Sequence, residues 1–297
     1  MLSVSTSWNF ERAGSLAAAA RGLSDLGYRG VELRAQGAVP DLDSAGAACR
    51  GLRVRCRSVH APLTAGPWSE GDPSREIASL DEARRRAAVE SVLGTLPVAA
   101  AAGAEVIVVH LGEVAIEGAR NRHREWFRAI DEGRPIAEDV TAALAERRAK
   151  RDPYLEAAAR SLFELTRAES AVVFAVECRL YYHEIPALDE MELLLSDAGK
   201  RKVAYWHDAG HAHLLGRVGA ADPLAWLARY GGRCAGLHLH DVIGTTDHYP
   251  PGPGEVDWAG LRAGAGAGML RVMEVHGRHS AAELAAGAAH LHALGLD

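Results

Sequence analysis

The chain has 297 residues, of which 48% are hydrophobic and 24% charged, and such a composition is that of an ordinary globular protein. Its net charge of -6 argues against a nucleic-acid-binding protein, because those normally present a basic face. No apolar run approaches the roughly 20 residues that a membrane-spanning helix needs. The four cysteines are scattered without a CxxC pair, so the sequence predicts a cytoplasmic enzyme with reduced thiols.

Short apolar segments rich in β-branched residues recur along the chain, and an Ala- and Leu-rich amphipathic stretch follows each of them. This alternation is typical of buried parallel strands connected by helices. Eight such segments predict a (β/α)8 barrel, a fold whose usual length is about 250 residues. The sequence thus predicts one domain over residues 1–297, with strands at 2–8, 30–35, 55–61, 105–112, 171–179, 202–208, 234–241 and 270–277.

Helix boundaries are predicted at three places. Apolar residues at helical spacing from Ser15 onward indicate a helix that stops before Gly27. Pro97 is expected to kink the long helical stretch before the fourth strand, or to start a new turn there. Asp152 and Pro153 are placed to act as the N-cap and the first residue of another helix.

The segment of residues 113–151, after the fourth predicted strand, interrupts the alternation because it is too long for an ordinary strand-to-helix loop. Its many charged residues favour a solvated helical insertion held by i,i+4 ion pairs. The alternative is a lid over the barrel mouth, with arginines that meet a phosphorylated substrate. As a lid, the segment is expected to be more mobile than the strands.

Potential metal-binding side chains stand near the carboxyl ends of six of the eight predicted strands. In a (β/α)8 barrel these ends meet at one rim, where the active site lies. Imidazole and carboxylate groups together bind zinc, manganese or a similar divalent ion, so the rim is predicted to hold a metal. The side chains concerned are His60, His110, Glu177, Asp208, His238 with His240, and Glu274.

Strand alternation predicts which of these side chains point the same way, because residues two apart in a strand lie on the same face. The pairs that share a face in this way are Glu177 with Arg179, His238 with His240, and Glu274 with His276. A further group of ionisable residues occupies the stretch YWHDAGHAHLLG, and we interpret it as one arc of the same ring. It comprises His207, Asp208, His211 and His213.

Eight motifs follow one another across nearly the whole chain: GYRGVEL, SVHAPL, VIVVHLG, AVECR, YWHDAGHAH, GLHLHDV, DHYPPGPGEVDW and VMEVH. Their order resembles that of the xylose-isomerase-like TIM-barrel superfamily, which joins sugar phosphate isomerases and epimerases with endonuclease-IV-type enzymes. The resemblance implies a central divalent metal held by Glu177, Asp208, His238 and Glu274. It also implies that His211 binds substrate, as in the epimerases, or a further metal, as in the endonuclease branch.

The two branches of this superfamily use the ring differently. An isomerase or epimerase needs one ion, which holds two neighbouring sugar oxygens and acidifies the carbon-bound proton between them. Glu177 and Glu274 then pass a proton as base and acid. A di- or trinuclear zinc phosphoester hydrolase instead uses two or three ions to activate water and to stabilise a phosphate transition state.

The hydrolase needs more ligands, and the resemblance offers several. His60 and His110 match the positions that hold a first ion in the endonuclease branch, and His248 matches a position for a third. The pattern places an aspartate two residues before that last histidine. Here that position is Thr246, and Asp247 is displaced by one residue, which argues against a third ion.

These observations lead to a divalent-metal-dependent sugar or sugar phosphate isomerase or epimerase, with a phosphoester hydrolase acting on a small molecule as the alternative. One to three zinc, manganese or similar ions are expected. Substrate contacts are expected from Arg179, His211, His240 and His276. A small sugar or phosphorylated molecule is the expected partner, neither a membrane nor nucleic acid is expected, and the oligomeric state stays open.

Overall fold

The computed structural model describes residues 1–35, 37–52, 54–64, 72–197 and 202–297. Within these ranges ten β-strands form, and eight of them close into a parallel barrel in the order β1-β10-β7-β6-β5-β4-β3-β2. The remaining two, β8 and β9, pair as an antiparallel hairpin after β7. The predicted (β/α)8 barrel is thereby confirmed. The strand bounds are β1 (Leu2–Ser5), β2 (Gly30–Leu33), β3 (Arg55–His60), β4 (Val106–Val109), β5 (Val173–Glu177), β6 (Val203–Asp208), β7 (Cys234–Leu239), β8 (Asp241–Ile243), β9 (Thr246–Tyr249) and β10 (Leu270–Met273).

The helices form the outer layer of the barrel and connect its strands. In the part of the chain that the structure describes, none has the length and apolar character needed to cross a bilayer. Their bounds are α1 (Phe10–Ala13), α2 (Leu16–Asp25), α3 (Leu42–Gly51), α4 (Glu82–Leu93), α5 (Leu96–Ala102), α6 (Ala119–Asp131), α7 (Ala137–Lys150), α8 (Asp152–Thr166), α9 (Met191–Asp197), α10 (Ala209–Arg217), α11 (Ala225–Tyr230), α12 (Trp258–Gly264) and α13 (Ala281–Ala293).

Two of the three predicted helix boundaries agree with the structure. Ser15 caps α2 by accepting a hydrogen bond from the amide of Ala18, and Pro97 lies in the first turn of α5. The prediction that Asp152 is an N-cap is wrong, because Asp152 is the first residue of α8. The preceding Arg151 already has helical backbone angles, so α7 runs almost directly into α8 and no extended capping residue separates them.

The interior of the barrel is filled by apolar side chains, as the short β-branched strands lead one to expect. One cluster lies apart from the layer between strands and helices and consists of Val106, Val108, Ala175, Trp206, Leu270 and Val272. The Trp206 indole lies edge-on to the ring of His238, with 5.0 Å between ring centroids. Trp206 therefore connects the packed interior to the polar side chains at the carboxyl ends of the strands.

The segment predicted as an insertion contains α6 and α7. His123 of α6 stacks on Tyr182, which follows β5, at a centroid distance of 6.0 Å. Asp131, at the end of α6, accepts a hydrogen bond of 3.0 Å from Thr245 in the β8–β9 hairpin. Both contacts are with loops at the carboxyl ends of barrel strands. The segment thus touches the side of the barrel that carries the ring of histidines and carboxylates, and its movement as a lid stays a prediction.

Candidate metal centre

Four fully buried side chains converge at the carboxyl rim of the barrel. Glu177 ends β5, Asp208 ends β6, His238 lies near the end of β7, and Glu274 directly follows β10. Each offers one ligand atom, and these atoms all lie within 4.8 Å of one another. The Nδ1 atom of His238 lies 2.5 Å from Glu177, 3.0 Å from Glu274 and 3.6 Å from Asp208. We call these four residues the central cluster.

The polar atoms of the central cluster fit a divalent ion. Asp208 Oδ2 and Glu274 Oε2 are buried and make no hydrogen bond with any residue that the structure describes, because the nearby His238 Nδ1 hydrogen-bonds to Glu177 instead. Burying a carboxylate oxygen without a partner is costly, so the site favours a cation there. Three carboxylates and one imidazole form a donor set that suits zinc, manganese or a similar ion.

The orientation of His238 depends on Glu32, a residue of β2 that the sequence did not single out. Glu32 is fully buried and lies 3.1 Å from His238 Nε2 through one oxygen. Its other oxygen accepts a hydrogen bond of 2.8 Å from Ser58 Oγ. With Nε2 as the donor to Glu32, the lone pair of Nδ1 points into the central cluster, and this is the usual arrangement of a metal-binding histidine and its carboxylate partner.

The electrostatics of the central cluster also favour a cation. Burial alone would raise the pKa of Glu177, but Arg179 and His110 outweigh it and hold that pKa well below its usual range. Burial would lower the pKa of His238, but the Glu32 carboxylate and its acidic neighbours raise it well above the usual value. Asp208 likewise has its pKa held well below its usual range, against the effect of burial, by the imidazoles of His211 and His240. Without a metal, Glu177 and Asp208 are therefore ionised and a protonated imidazole lies beside them.

His60 and His110 lie beside the central cluster, on the side of β3 and β4. His110 Nε2 is 2.7 Å and His60 Nε2 is 3.9 Å from Glu177 Oε2, so that these three residues form a second group able to hold a metal. Arg179 reaches the same atoms, because its Nη1 donates to Glu177 at 2.5 Å and lies 2.8 Å from His110 Nε2. Burial and the charge of Arg179 hold the pKa of His110 well below its usual range, so its ring is neutral.

Three stacked imidazoles lie on the opposite side of the central cluster. The rings of His240 and His248, and those of His248 and His276, each have centroids 4.0 Å apart and are almost parallel. His211, His240 and His248 form one potential metal-binding group, and Asp247, His248 and His276 form another. His248 has a φ of 57°, and this left-handed backbone is uncommon for a residue other than glycine.

Asp247 reaches the ring of histidines and carboxylates, although it stands one residue away from the position that the endonuclease pattern requires. Its carboxylate lies 3.1 Å from His248 Nδ1 and 3.9 Å from His211 Nε2. The displacement in sequence thus does not remove the carboxylate from this side of the site.

The interpretation of YWHDAGHAHLLG as one arc of the ring holds for only two of its four ionisable residues. Asp208 and His211 face the ring, and Asp208 caps α10 by accepting from the His211 amide. His207 instead hydrogen-bonds to the Tyr205 hydroxyl at 2.6 Å, and it lines a separate cleft together with His213. For His207 the reason is strand alternation, since it precedes Asp208 on β6 and points to the opposite face. His213 lies on α10 two residues after His211, so the two project from different faces of that helix.

The fold and this ring of side chains define a (β/α)8 barrel with a candidate metal centre at its carboxyl rim. The chain belongs to the xylose isomerase-like TIM-barrel family, whose model matches residues 20–292. No curated protein sequence matches the chain.

Solved structures of similar fold include several sugar epimerases. A D-tagatose 3-epimerase-like protein is 16% identical, with a TM-score of 0.69 over 99% of this chain and 96% of its own. The 3-keto-D-glucoside 4-epimerase of E. coli is 15% identical, with a TM-score of 0.67 over 98% of both chains. An L-ribulose 3-epimerase is 14% identical, with a TM-score of 0.67 over 99% of this chain and 94% of its own. At such identities the likeness establishes the fold.

Proposed function

We propose that the protein is a divalent-metal-dependent isomerase or epimerase of sugars or sugar phosphates. Two features together carry the proposal. The central cluster has all four ligands that one ion needs. The Arg179 guanidinium group contacts the atoms of Glu177 and His110 that a second ion would need. One ion is sufficient for isomerisation or epimerisation. The similarity in fold to sugar epimerases supports the same reaction class.

The central cluster supplies the groups that this reaction requires. When bound by these ligands, a divalent ion polarises two neighbouring oxygens of a sugar and acidifies the carbon-bound proton between them. Glu177 ends β5, Glu274 follows β10, and both contact His238 Nδ1, so the two carboxylates reach the central cluster from different strands. One of them takes the proton from carbon and the other returns a proton, so that the two act as base and acid.

Other residues of the ring orient these two carboxylates and the sugar hydroxyl groups. Arg179 fixes one oxygen of Glu177, and Arg34 at the end of β2 forms an ion pair with Glu274. Each carboxylate is thus positioned by a guanidinium group, and Arg179 also favours the ionised form of Glu177. His211, His240 and His276 offer ring nitrogens on the other side of the site and are the proposed contacts to the sugar.

The alternative function is a di- or trinuclear phosphoester hydrolase. The observation that favours it is the proximity of His60 and His110 to Glu177, which would let Glu177 bridge two ions. This hydrolase requires Arg179 to leave its present position, because its guanidinium group contacts both Glu177 and His110.

Solvent deuterium exchange tests the proposed reaction. The metal-loaded protein is incubated in D2O with a panel of ketoses and their phosphate esters, and deuterium at the carbon next to the carbonyl is followed by NMR. We expect exchange with at least one of them, and its loss in Glu177→Gln and Glu274→Gln variants whose metal content is measured in parallel. Glu90→Gln, an exposed change on α4, is the matched control. Phosphoester hydrolysis without any exchange would overturn the proposal in favour of the alternative.

A further inference from the structure

A cleft of about 390 Å³ opens beside the central cluster, between the loop after β1 and the segment after β10. Volumes of this size are typical of small-ligand sites. The residues that shape it are Trp8, Phe10, Glu11, Arg12, His276 and Arg278. It combines aromatic surface with two guanidinium groups at its edge.

The two arginines of this cleft are held in place without a carboxylate partner. Arg12 donates to the carbonyl oxygen of Gly277 at 2.6 Å and stacks over Trp8 at 4.4 Å. Arg278 donates to the carbonyl oxygen of Asp247 at 2.7 Å and stacks over Tyr249 at 4.7 Å. Among the described residues, neither forms an ion pair with an aspartate or glutamate. Arg278 also contacts His279 Nε2 at 3.2 Å through Nε and His276 Nδ1 at 3.3 Å through Nη1. Each of its two terminal nitrogens still has one N–H left, and Arg12 keeps more, so both can bind an anion.

Other arginines of the rim are already neutralised. Arg34 and Arg179 pair with Glu274 and Glu177. The arginines of the α6–α7 segment that pair with carboxylates are Arg120, Arg122, Arg134, Arg147, Arg148 and Arg151. The positive charge of the cleft is therefore less compensated than the charge of these other arginines. Arg124 and Arg128 of α6 form no ion pair among the described residues, and the expectation that the arginines of this segment meet a phosphate stays a prediction.

The cleft is separated from the central cluster by two stacked imidazole rings. His276 lines it and stacks directly on His248, with ring centroids 4.0 Å apart. His248 Nε2 in turn lies 3.7 Å from Glu274 Oε2 of the central cluster. A sugar with its carbonyl end at the central cluster would thus extend past these two imidazoles towards Arg12 and Arg278.

We propose that this cleft binds the phosphate group of a phosphorylated sugar, so that Arg12 and Arg278 select a sugar phosphate over the unphosphorylated sugar. The inference rests on the proposed function, because it needs the sugar's carbonyl end at the central cluster. Two guanidinium groups match the double negative charge of a phosphate monoester and can donate paired hydrogen bonds to it. Barrels of this fold often bind phosphate with the loops after their last two strands, and Arg278 lies in such a loop.

Calorimetric titration of the metal-loaded protein tests the inference with three probes: D-fructose, D-fructose 6-phosphate and inorganic phosphate. We expect the phosphate ester to bind at least about tenfold more tightly than the sugar. In an Arg12→Gln/Arg278→Gln variant this preference and the binding of inorganic phosphate should both be lost. Both side chains are exposed, so the variant is expected to fold, and its circular dichroism is compared with that of the wild type.

The matched control is Arg21→Gln/Arg29→Gln, which removes the same charge at exposed positions outside the cleft and should keep the preference. Glu11→Gln removes the one carboxylate that lines the cleft and should tighten binding of the ester. Equal affinity for the sugar and its ester would overturn the inference. So would undiminished phosphate binding in the Arg12→Gln/Arg278→Gln variant, since the anion would then be bound elsewhere, as on the metal.

Failure of this inference is distinguishable from failure of the proposed function. Deuterium exchange with unphosphorylated sugars alone, without phosphate binding at the cleft, would overturn the phosphate site and leave the isomerase or epimerase. Phosphate binding that depends on Arg12 and Arg278, together with phosphoester hydrolysis and no exchange, would overturn the proposed function instead.

Discussion

The ion pair between Arg147 and Glu190 attaches the α6–α7 segment to the barrel, and its removal is predicted to destabilise the protein strongly. Arg147 is 3% exposed and Glu190 is fully buried. The guanidinium group donates to both oxygens of Glu190, at 2.5 and 2.8 Å, and to the carbonyl oxygen of Glu184 at 2.8 Å. Arg147→Ala would leave the Glu190 carboxylate buried without its main partner.

Loss of one member of a buried ion pair costs about 3–5 kcal/mol, because the charge that remains is not compensated. Arg151 also contacts Glu190, at 3.3 Å, so we expect the lower half of that range, about 3–4 kcal/mol. Arg148→Ala is the matched control. Arg148 is 73% exposed and lies 3.4 Å from Asp189, and a surface pair of this kind contributes no more than about 1 kcal/mol.

The free energy of unfolding is measured by urea denaturation of the metal-loaded wild type and both variants. If Arg147→Ala unfolds at the same urea concentration as Arg148→Ala, the buried pair does not fix the segment. Limited proteolysis adds a local test, because a segment released from the barrel would be cleaved within residues 113–151 before the strands are.

Two further predictions concern the candidate metal centre. The raised pKa of His238 means that a metal must displace a proton, so metal affinity should decrease as the pH falls below that pKa. Calorimetry in two buffers of different ionisation enthalpy should show this proton release, and a metal affinity independent of pH would contradict it. Glu32→Gln, compared with Ser58→Ala at a pH where His238 is neutral, should weaken metal binding by about tenfold to a hundredfold. An unchanged dissociation constant for the metal would mean that the Glu32 carboxylate does not strengthen metal binding by His238.

Much of the fold could be predicted from the sequence because apolar periodicity identifies strands independently of their partners. The strand predicted at residues 171–179 is formed by Val173–Glu177, and the one predicted at 105–112 is formed by Val106–Val109. The differences lie mostly at the strand ends, where the chain leaves the sheet and its side chains serve the site. The start of α2 was predictable because Ser15 has an extended backbone and a capping side chain, and the start of α5 because proline is tolerated in a first turn. The start of α8 was not, because Arg151 before it is already helical.

The site was less predictable because it depends on contacts across the barrel. Glu32 could have been singled out from the sequence, because a carboxylate between Val31 and Leu33 in a buried strand needs a partner. The identity of that partner could not. Its partner, His238, lies on β7 and is more than 200 residues away in the chain. The one-residue displacement of Asp247 still leaves its carboxylate beside His248 and His211, and the neighbouring His248 has a left-handed backbone that a sequence pattern does not reveal.

The most direct test of the account is the number of metal ions bound per chain, measured by elemental analysis together with native mass spectrometry. We predict one divalent ion in the wild type, bound by the central cluster, and the same number in His110→Ala, whose main defect should be in substrate affinity. Two ions in the wild type, with one lost from His110→Ala along with phosphoesterase activity, would contradict the single-ion isomerase or epimerase and support the hydrolase.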